Sequence, residues 1–198
     1  MIRRGLPALL LVVTVDLSGA SAFDGDETFR RGAYVLSLEA GGGAQANFEH
    51  KRDDTDLTFW NTGVRFSLLP WGPVGPGVLH GALEVGLEPF VQRYTDPVRA
   101  HFVGLAAVGR YHFLSLGRVV PYLEMLFSAG DTNLRVREID SDFTFLVQAG
   151  LGASFFLTDH LAIYGGYRLQ HVSNGNTSSP NRGFESHTGV AGMSFYFP

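Results

Sequence analysis

Cysteine is absent from the 198-residue chain, charged residues make up only 17% of it, and their formal balance is −4. Without cysteine there is no disulfide scaffold and no thiolate metal site. The sparse, scattered Lys and Arg residues form no basic stripe able to neutralise a run of phosphates, so nucleic acid is not an expected partner. Seven histidines are present, but none has the paired spacing of a zinc motif, and no structural metal is expected. Past the first residues no window supplies the ~18 or more uninterrupted apolar residues of a transmembrane helix. What the chain does have is glycine, 25 residues, and phenylalanine, 16 residues, within a 45% hydrophobic composition.

The amino terminus reads as an export signal. Arg3 and Arg4 precede an apolar run from Leu6 to Val15, and Ala20-Ser21-Ala22 offers a small-residue cleavage site. A membrane anchor is the rival reading, but the run is too short to cross ~30 Å of hydrocarbon at ~1.5 Å per residue, and Asp16 interrupts it. Residues 1–22 are therefore expected to be removed, leaving residues 23–198 as a single domain.

Beyond the signal the period is two. From Trp60 to Leu68 the even positions read Trp60, Thr62, Val64, Phe66 and Leu68, and the odd ones Asn61, Gly63, Arg65 and Ser67. One face is apolar and the other polar or small, as in a strand with lipid on one side. The same alternation covers Tyr34 to Ala40, Leu83 to Leu87, Val103 to Ala107, Leu123 to Phe127 and Phe145 to Ala153. Two further strands run from about Leu161 to Ser173 and from about Glu185 to Phe197. The expected fold is all-β: an eight-stranded antiparallel transmembrane β-barrel of the bacterial outer membrane, in which closure pairs every backbone group where water cannot reach. A lipocalin-like barrel or β-sandwich is the soluble rival. The opposite face carries Glu39, Arg65, Glu84, Glu88, Glu124, Gln148 and Arg168, which suit a polar lumen, and the export signal favours the membrane. Connections at about 47–57, 93–100, 130–142 and 174–184 are expected as outer loops, with tight turns near 115–119 and 158–160, a compact Pro/Gly-rich connection from Pro70 to Gly77, and both termini in the periplasm. The ending Phe195-Tyr196-Phe197-Pro198 resembles the aromatic last strand of outer-membrane barrels.

The penultimate strand carries the unusual feature. Its lipid-facing odd series, Ile163, Gly165, Tyr167 and Leu169, continues to His171 and Ser173, while strand eight runs back on the same parity through His187 to Glu185. Both 171 and 185 fall on the apolar, lipid-facing series of their strands, so the two residues share a face. Side chains two apart on a strand lie ~6–7 Å apart along it, so the three residues can converge on the barrel's outer wall. Together they are the parts of a serine hydrolase: Ser173 as nucleophile, His171 as base, Glu185 holding the other ring nitrogen. A His-x-Ser pair alone is common by chance, and polar residues at a strand end are ordinarily interfacial; the shared parity of three residues is what favours a site.

The stretch His171-Val172-Ser173-Asn174 followed by Pro180-Asn181-Arg182-Gly183-Phe184-Glu185 resembles the active-site signature of the PagL-like lipid A 3-O-deacylases, with the glutamate fourteen residues after the histidine. The resemblance implies an outer-membrane esterase that removes the 3-O acyl chain of lipid A without a metal or other cofactor, acting on lipopolysaccharide among outer-membrane lipids. It carries over His171, Ser173 and Glu185 as the triad, and makes Asn174 and the backbone N–H groups of Gly175 and Asn176 candidates for the oxyanion hole. Asn181 is expected to shape the loop. His187 is a competing base that matches no family position. An outward groove near Tyr167, Leu169 and Met193 is the expected acyl site. Homo-oligomerisation is left open. Two rivals stand beside the deacylase: a non-catalytic eight-stranded barrel serving as anchor, adhesin or stress protein, and an acyltransferase that adds a chain to lipid A.

Overall fold

The computed structural model describes residues 23–46 and 55–198; the export signal expected over residues 1–22 lies outside the described residues. A one-turn helix, α1 (Gly25–Thr28), precedes eight strands: β1 (Tyr34–Ala46), β2 (Thr58–Leu68), β3 (Gly81–Asp96), β4 (Ala100–Phe113), β5 (Val119–Thr132), β6 (Phe143–Phe156), β7 (Leu161–Ser173) and β8 (Phe184–Phe197). Each strand pairs antiparallel with its sequence neighbours, and β1 pairs with β8 from Tyr34↔Phe197 to Ala46↔Glu185, closing the barrel. Closure removes the two edges that an open sheet would leave unpaired.

The alternation has the sense expected of a membrane barrel. Trp60, Val64, Phe66, Leu87, Val103, Leu105, Leu123, Met125, Phe127, Leu151 and Ile163 are all exposed on the outer wall. Glu39, Arg65, Glu84, Glu88, Glu124, Gln148 and Arg168 are all buried in the lumen. A lipocalin-like cup would have these two sets exchanged.

Charges inside so narrow a barrel persist only when paired. Arg168 donates from Nε to Glu124 at 2.7 Å and from Nη2 to Glu39 at 2.6 Å. Arg110 reaches the same Glu124 at 2.8 Å, Arg65 bonds Glu88 at 2.7 Å, and His112 meets Glu84 at 2.8 Å. The room for these long side chains comes from glycines across the wall. A Cβ on Gly63 would lie 2.3 Å from Glu88 Oε1, and one on Gly150 would lie 2.7 Å from Arg168 Cγ.

Both ends of this polar lumen are capped by apolar clusters. At the end where β1 begins and β8 finishes, the segment around α1 folds inward. Phe29 packs with Ala33, Leu69, Leu114, Val120, Phe156 and Tyr196, with Phe23 alongside. Hydrogen bonds from Thr28 Oγ1 to the Asp159 carbonyl and between His80 and Asp26 fasten it to the turns. At the opposite end Leu57, Phe59, Phe90, Tyr94, Phe102, Leu146, Val172 and Phe184 form a second cluster, closed by Leu134 and Ile139 from the β5–β6 loop.

The tight turns and both ends of the described chain share one mouth, and the loops share the other. The Pro70–Gly77 connection is compact as expected, with Val74 paired to Gly81. One loop differs from expectation. The connection expected over 93–100 is only Pro97–Arg99, because Arg93, Tyr94 and Asp96 still pair with the start of β2 and Arg93 and Tyr94 with the start of β4. A polar composition reads as loop in sequence, yet these residues have strand partners on both sides.

Replacing Glu124 by Ala leaves Arg110 and Arg168 without their shared counter-charge. The expected loss is ~3–5 kcal/mol, as for other broken buried ion pairs, measured by urea unfolding of the barrel in detergent micelles. An unchanged unfolding midpoint would show that the lumen network adds nothing.

Candidate active site

The β7–β8 pairing sets His171 directly opposite Glu185. Both side chains are roughly half-exposed on the outer wall at the loop mouth, and His171 Nδ1 lies 3.0 Å from Glu185 Oε1. An ionised carboxylate only accepts, so Nδ1 carries the proton and Nε2 is left with its lone pair, the form a general base needs. Ser173 follows on the same face, half-buried and opposite Phe145 of β6. Its hydroxyl has no hydrogen-bond partner among the described residues. At this rim a carboxylate on the lipid-facing side costs only ~0–1 kcal/mol, against up to ~2–4 kcal/mol for the most costly charges at the midplane.

The β7–β8 loop is built by asparagines. Gly175 and Asn176 both have positive φ, 63° each, and the Thr177 N–H returns to the Asn174 carbonyl at 3.3 Å, the pattern of a tight turn with two left-handed central residues. Asn174 is fully buried. Its even parity turns it away from Ser173 and into the barrel mouth. Its Nδ2 donates to Ser178 Oγ at 2.8 Å and to the Ser178 carbonyl at 3.1 Å, while its Oδ1 accepts the Asn176 N–H at 3.0 Å. Asn181 accepts the Asn174 N–H at 2.8 Å and donates to Asn176 Oδ1 at 2.9 Å. Of the candidate oxyanion donors, the Asn174 side chain and the Asn176 N–H are therefore already engaged in the loop. The Gly175 N–H has no acceptor among the described residues. Asn181 sits where loop shaping requires it.

Gly183 also has positive φ, 66°, and a Cβ there would lie 3.0 Å from His171 Cε1 and 2.9 Å from the Val172 carbonyl. The loop thus runs flush against the imidazole edge, and any side chain at this position would push the ring.

Beneath the loop lies a residue that sequence reading missed. Glu138, in the β5–β6 loop, is 1% exposed. Its carboxylate accepts from Gln45 Nε2 at 3.0 Å, the Thr55 N–H at 2.8 Å and Thr55 Oγ1 at 2.7 Å. Its backbone carbonyl accepts from the N–H groups of Arg182 at 2.9 Å and Gly183 at 3.3 Å. One residue therefore ties the ends of β1 and β2 to the loop that abuts His171. Burial opposes ionisation of Glu138, but the hydrogen bonds from Gln45 and Thr55 outweigh it and hold its carboxyl below the usual carboxylate range. In the sequence Glu138 follows Arg135 and Arg137 and precedes Asp140 and Asp142, and nothing local to it points to a buried partner set.

The expected acyl groove is only partly assembled. Tyr167 and Leu169 lie below His171 on the same wall, and the Tyr167 hydroxyl is hydrogen-bonded to His187 Nδ1, which engages the competing histidine away from Ser173. Met193 pairs with Ile163, ten residues down β7 from Ser173 or roughly 33 Å along the strand, so it lies near the opposite mouth. Phe145 is closer: it pairs with Ser173, its ring is 3.1 Å from where a Gly175 Cβ would be, and it stacks on Phe127 with centroids 5.9 Å apart.

Comparison with known proteins now adds to this geometry. Residues 62–194 match the family model described as lipid A 3-O-deacylase (PagL). Among solved structures, the outer membrane enzyme PagL aligns with a TM-score of 0.60 and 18% identity over 79% of this chain and 97% of its own. Neisserial surface protein A aligns with the same TM-score of 0.60 and 14% identity over 84% of this chain and 100% of its own. At these identities the two structures establish a shared fold. No curated protein sequence matches the chain.

Because the Glu138 carboxyl is a stronger acid in the folded chain than in the unfolded one, its contribution is present above the usual carboxylate range and is lost as pH falls through its lowered value. The protection factors of the Thr55 and Gly183 amides, that is their exchange rates by mass spectrometry relative to the intrinsic rate at each pH, are expected to fall as the wild type is acidified through that range. In Glu138→Gln the same amides are expected to be poorly protected already at neutral pH. Equal protection in the two proteins would remove Glu138 from this role.

Proposed function

We propose that this chain, which belongs to the lipid A 3-O-deacylase (PagL) family, hydrolyses the ester-linked 3-O acyl chain of lipid A from the outer leaflet of the bacterial outer membrane, with the loop mouth facing outside and both termini in the periplasm. The observation that carries this reading is the 3.0 Å His171–Glu185 pair, with Ser173 next on the same outward face. A buried histidine–carboxylate pair would read as structural, but this one is open to lipid at the headgroup level.

In the reaction, Nε2 of His171 takes the proton from Ser173 Oγ as the oxygen attacks the ester carbonyl. Glu185, bonded to Nδ1, keeps the ring in the required tautomer and stabilises the imidazolium that forms. Negative charge develops on the former carbonyl oxygen, and the Gly175 N–H, beside the nucleophile and not committed within the loop, is its donor. Collapse of the intermediate expels the sugar hydroxyl, which takes the proton from His171. Water, activated by the same histidine, then releases the fatty acid from Ser173. The acyl chain runs down the wall from Phe145 past Leu169, where the small outward residues Ala149, Ala153, Gly165 and Gly189 alternate with the larger Leu151 and Tyr167.

A substrate anchored in the leaflet cannot enter a barrel filled by side chains, which is why the chemistry stands outside. A non-catalytic barrel has no use for three such residues on one lipid-facing patch. Lipid A from a host expressing the chain separates the readings by mass spectrometry: loss of one hydroxyacyl mass supports deacylation, a gain means acyl transfer, and no change means an inert barrel. Ser173→Ala and His171→Ala are each expected to lower turnover by about 10³-fold or more, and Glu185→Ala by less, since residual orientation survives loss of the carboxylate. Full deacylation by Ser173→Ala would exclude Ser173 as nucleophile, and an equal or greater loss in a folded Glu185→Ala would reject that ranking.

A further inference from the structure

The wall on the far side of the barrel carries features that the catalytic reading does not use. β3 lies four strands from β7 in either direction around the closed sheet. At the loop mouth of this wall, a cleft of about 340 Å³ is lined by Trp60, Arg93, Thr95, Arg99 and Asn133. Trp60 and Arg93 are cross-strand partners on the lipid-facing parity, and Trp60 is 47% exposed. The ladder shifts register between Thr58 and Phe59, so that Thr95 is the extra residue on β3, and such a bulge re-aims the side chains around it.

Arg93 and Arg99 are exposed, and neither guanidinium has an acidic partner among the described residues. The neighbouring carboxylate, Asp131, faces His101 at 3.3 Å. Two guanidinium groups in one cleft, without an acidic partner among the described residues, are suited to a phosphate, which they bind through planar, charge-assisted hydrogen bonds. A tryptophan beside them marks the level of the membrane interface.

Below the cleft the same strands carry a dent of about 750 Å³, lined by Phe66, Leu68, Leu87, Pro89, Leu105 and Ala107. The β2–β3 register is continuous from Gly63↔Phe90 to Phe66↔Leu87, but Val64 and Arg65 have no partner on β3. Pro89, which lacks an N–H to donate, stands in that gap. Leu87 is six residues below Arg93, or about 20 Å along the strand. A cationic cleft at the loop mouth and an apolar dent farther down the same wall, running from Pro89 toward Leu68 and Tyr34, match the headgroup and the acyl chains of a phosphorylated lipid.

We infer that the β2–β4 wall is a second, non-catalytic site for a phosphorylated outer-leaflet lipid, its headgroup phosphate held by Arg93 and Arg99 beside Trp60 and its acyl chains lying in the dent under Pro89. The orientation toward the outer leaflet rests on the functional reading above, but the binding does not require Ser173. A lipid held here is on the wrong side of the barrel to be cleaved, so it is a bound neighbour and not a substrate.

The chain has two tryptophans, and Trp71 lies in the β2–β3 connection at the opposite mouth. Trp71→Phe therefore leaves Trp60 as the sole fluorescent reporter. In micelles of a neutral detergent, titration of this protein with diphosphorylated lipid A is expected to give a saturable change in Trp60 emission. Adding Arg93→Gln and Arg99→Gln is expected to raise the half-saturating concentration by about tenfold or more, the scale of losing charge-assisted hydrogen bonds, while initial deacylation rates stay within about twofold. Retained deacylation also shows that the variant is folded. An unshifted titration in the double variant, or an equal response to lipid A stripped of its phosphates, would overturn the proposal. Saturation by inorganic phosphate alone at the same concentration would make this a free-phosphate site and overturn the lipid assignment. Loss of deacylation in the folded double variant, verified by circular dichroism, would overturn its non-catalytic character. Failure of deacylation in the parent protein would bear only on the catalytic reading.

Discussion

A backbone N–H or C=O that faces hydrocarbon without a partner costs several kcal/mol, and the β1–β8 pairing that closes this barrel is the response on which everything else depends. Closure imposes strict alternation, because each residue of a paired strand must face either lipid or lumen. The narrow lumen then admits only side chains that satisfy one another, hence the arginine–glutamate network around Arg65, Arg110 and Arg168. With the interior filled, no lipid can be processed inside, and reactive groups that need a membrane-bound partner must stand on the outer parity. His171, Ser173 and Glu185, the proposed triad, stand on that parity at the loop mouth.

The same constraint explains how much was legible in the sequence. Period two alone separates Phe66 from Arg65 and Leu87 from Glu88, and places His171 and Glu185 on the same outward face, because this follows from local pleat geometry; that the two are direct partners is set by the register of β7 and β8. The loops obey no such rule. Glu138 is one of three acidic residues between 138 and 142, and its role arises from contacts with Gln45, Thr55 and Gly183 that are distant in the chain. Phe23 and Phe29 continue no strand pattern, yet they cap the lumen because the segment before β1 turns inward. The resemblance makes Asn174 an oxyanion-hole candidate after Ser173, but consecutive strand residues face opposite ways, and its buried side chain bonds Ser178 and the Asn176 N–H. Met193 has the right parity for the acyl wall but the wrong height, which parity does not encode.

The site is consequently a division of labour between a rigid wall and a built loop. Strand pairing sets the His171–Glu185 distance, and the asparagine-rich turn after Ser173, together with Gly183 and the Glu138 carbonyl, sets what surrounds it. Such an arrangement keeps the base and its carboxylate in register even if the loop moves. In the proposed reaction the donor for the oxyanion, the Gly175 N–H, belongs to the loop and not to the sheet.

The central claim is that Ser173 is a nucleophile activated by His171 on the lipid-facing wall. Reaction of the micelle-embedded protein with a long-chain alkyl fluorophosphonate, followed by peptide mass spectrometry, tests it most directly. The account predicts one phosphonate adduct per chain, on Ser173, and its disappearance in His171→Ala. An adduct on another residue, or labelling of Ser173 at an undiminished rate without His171, would contradict it.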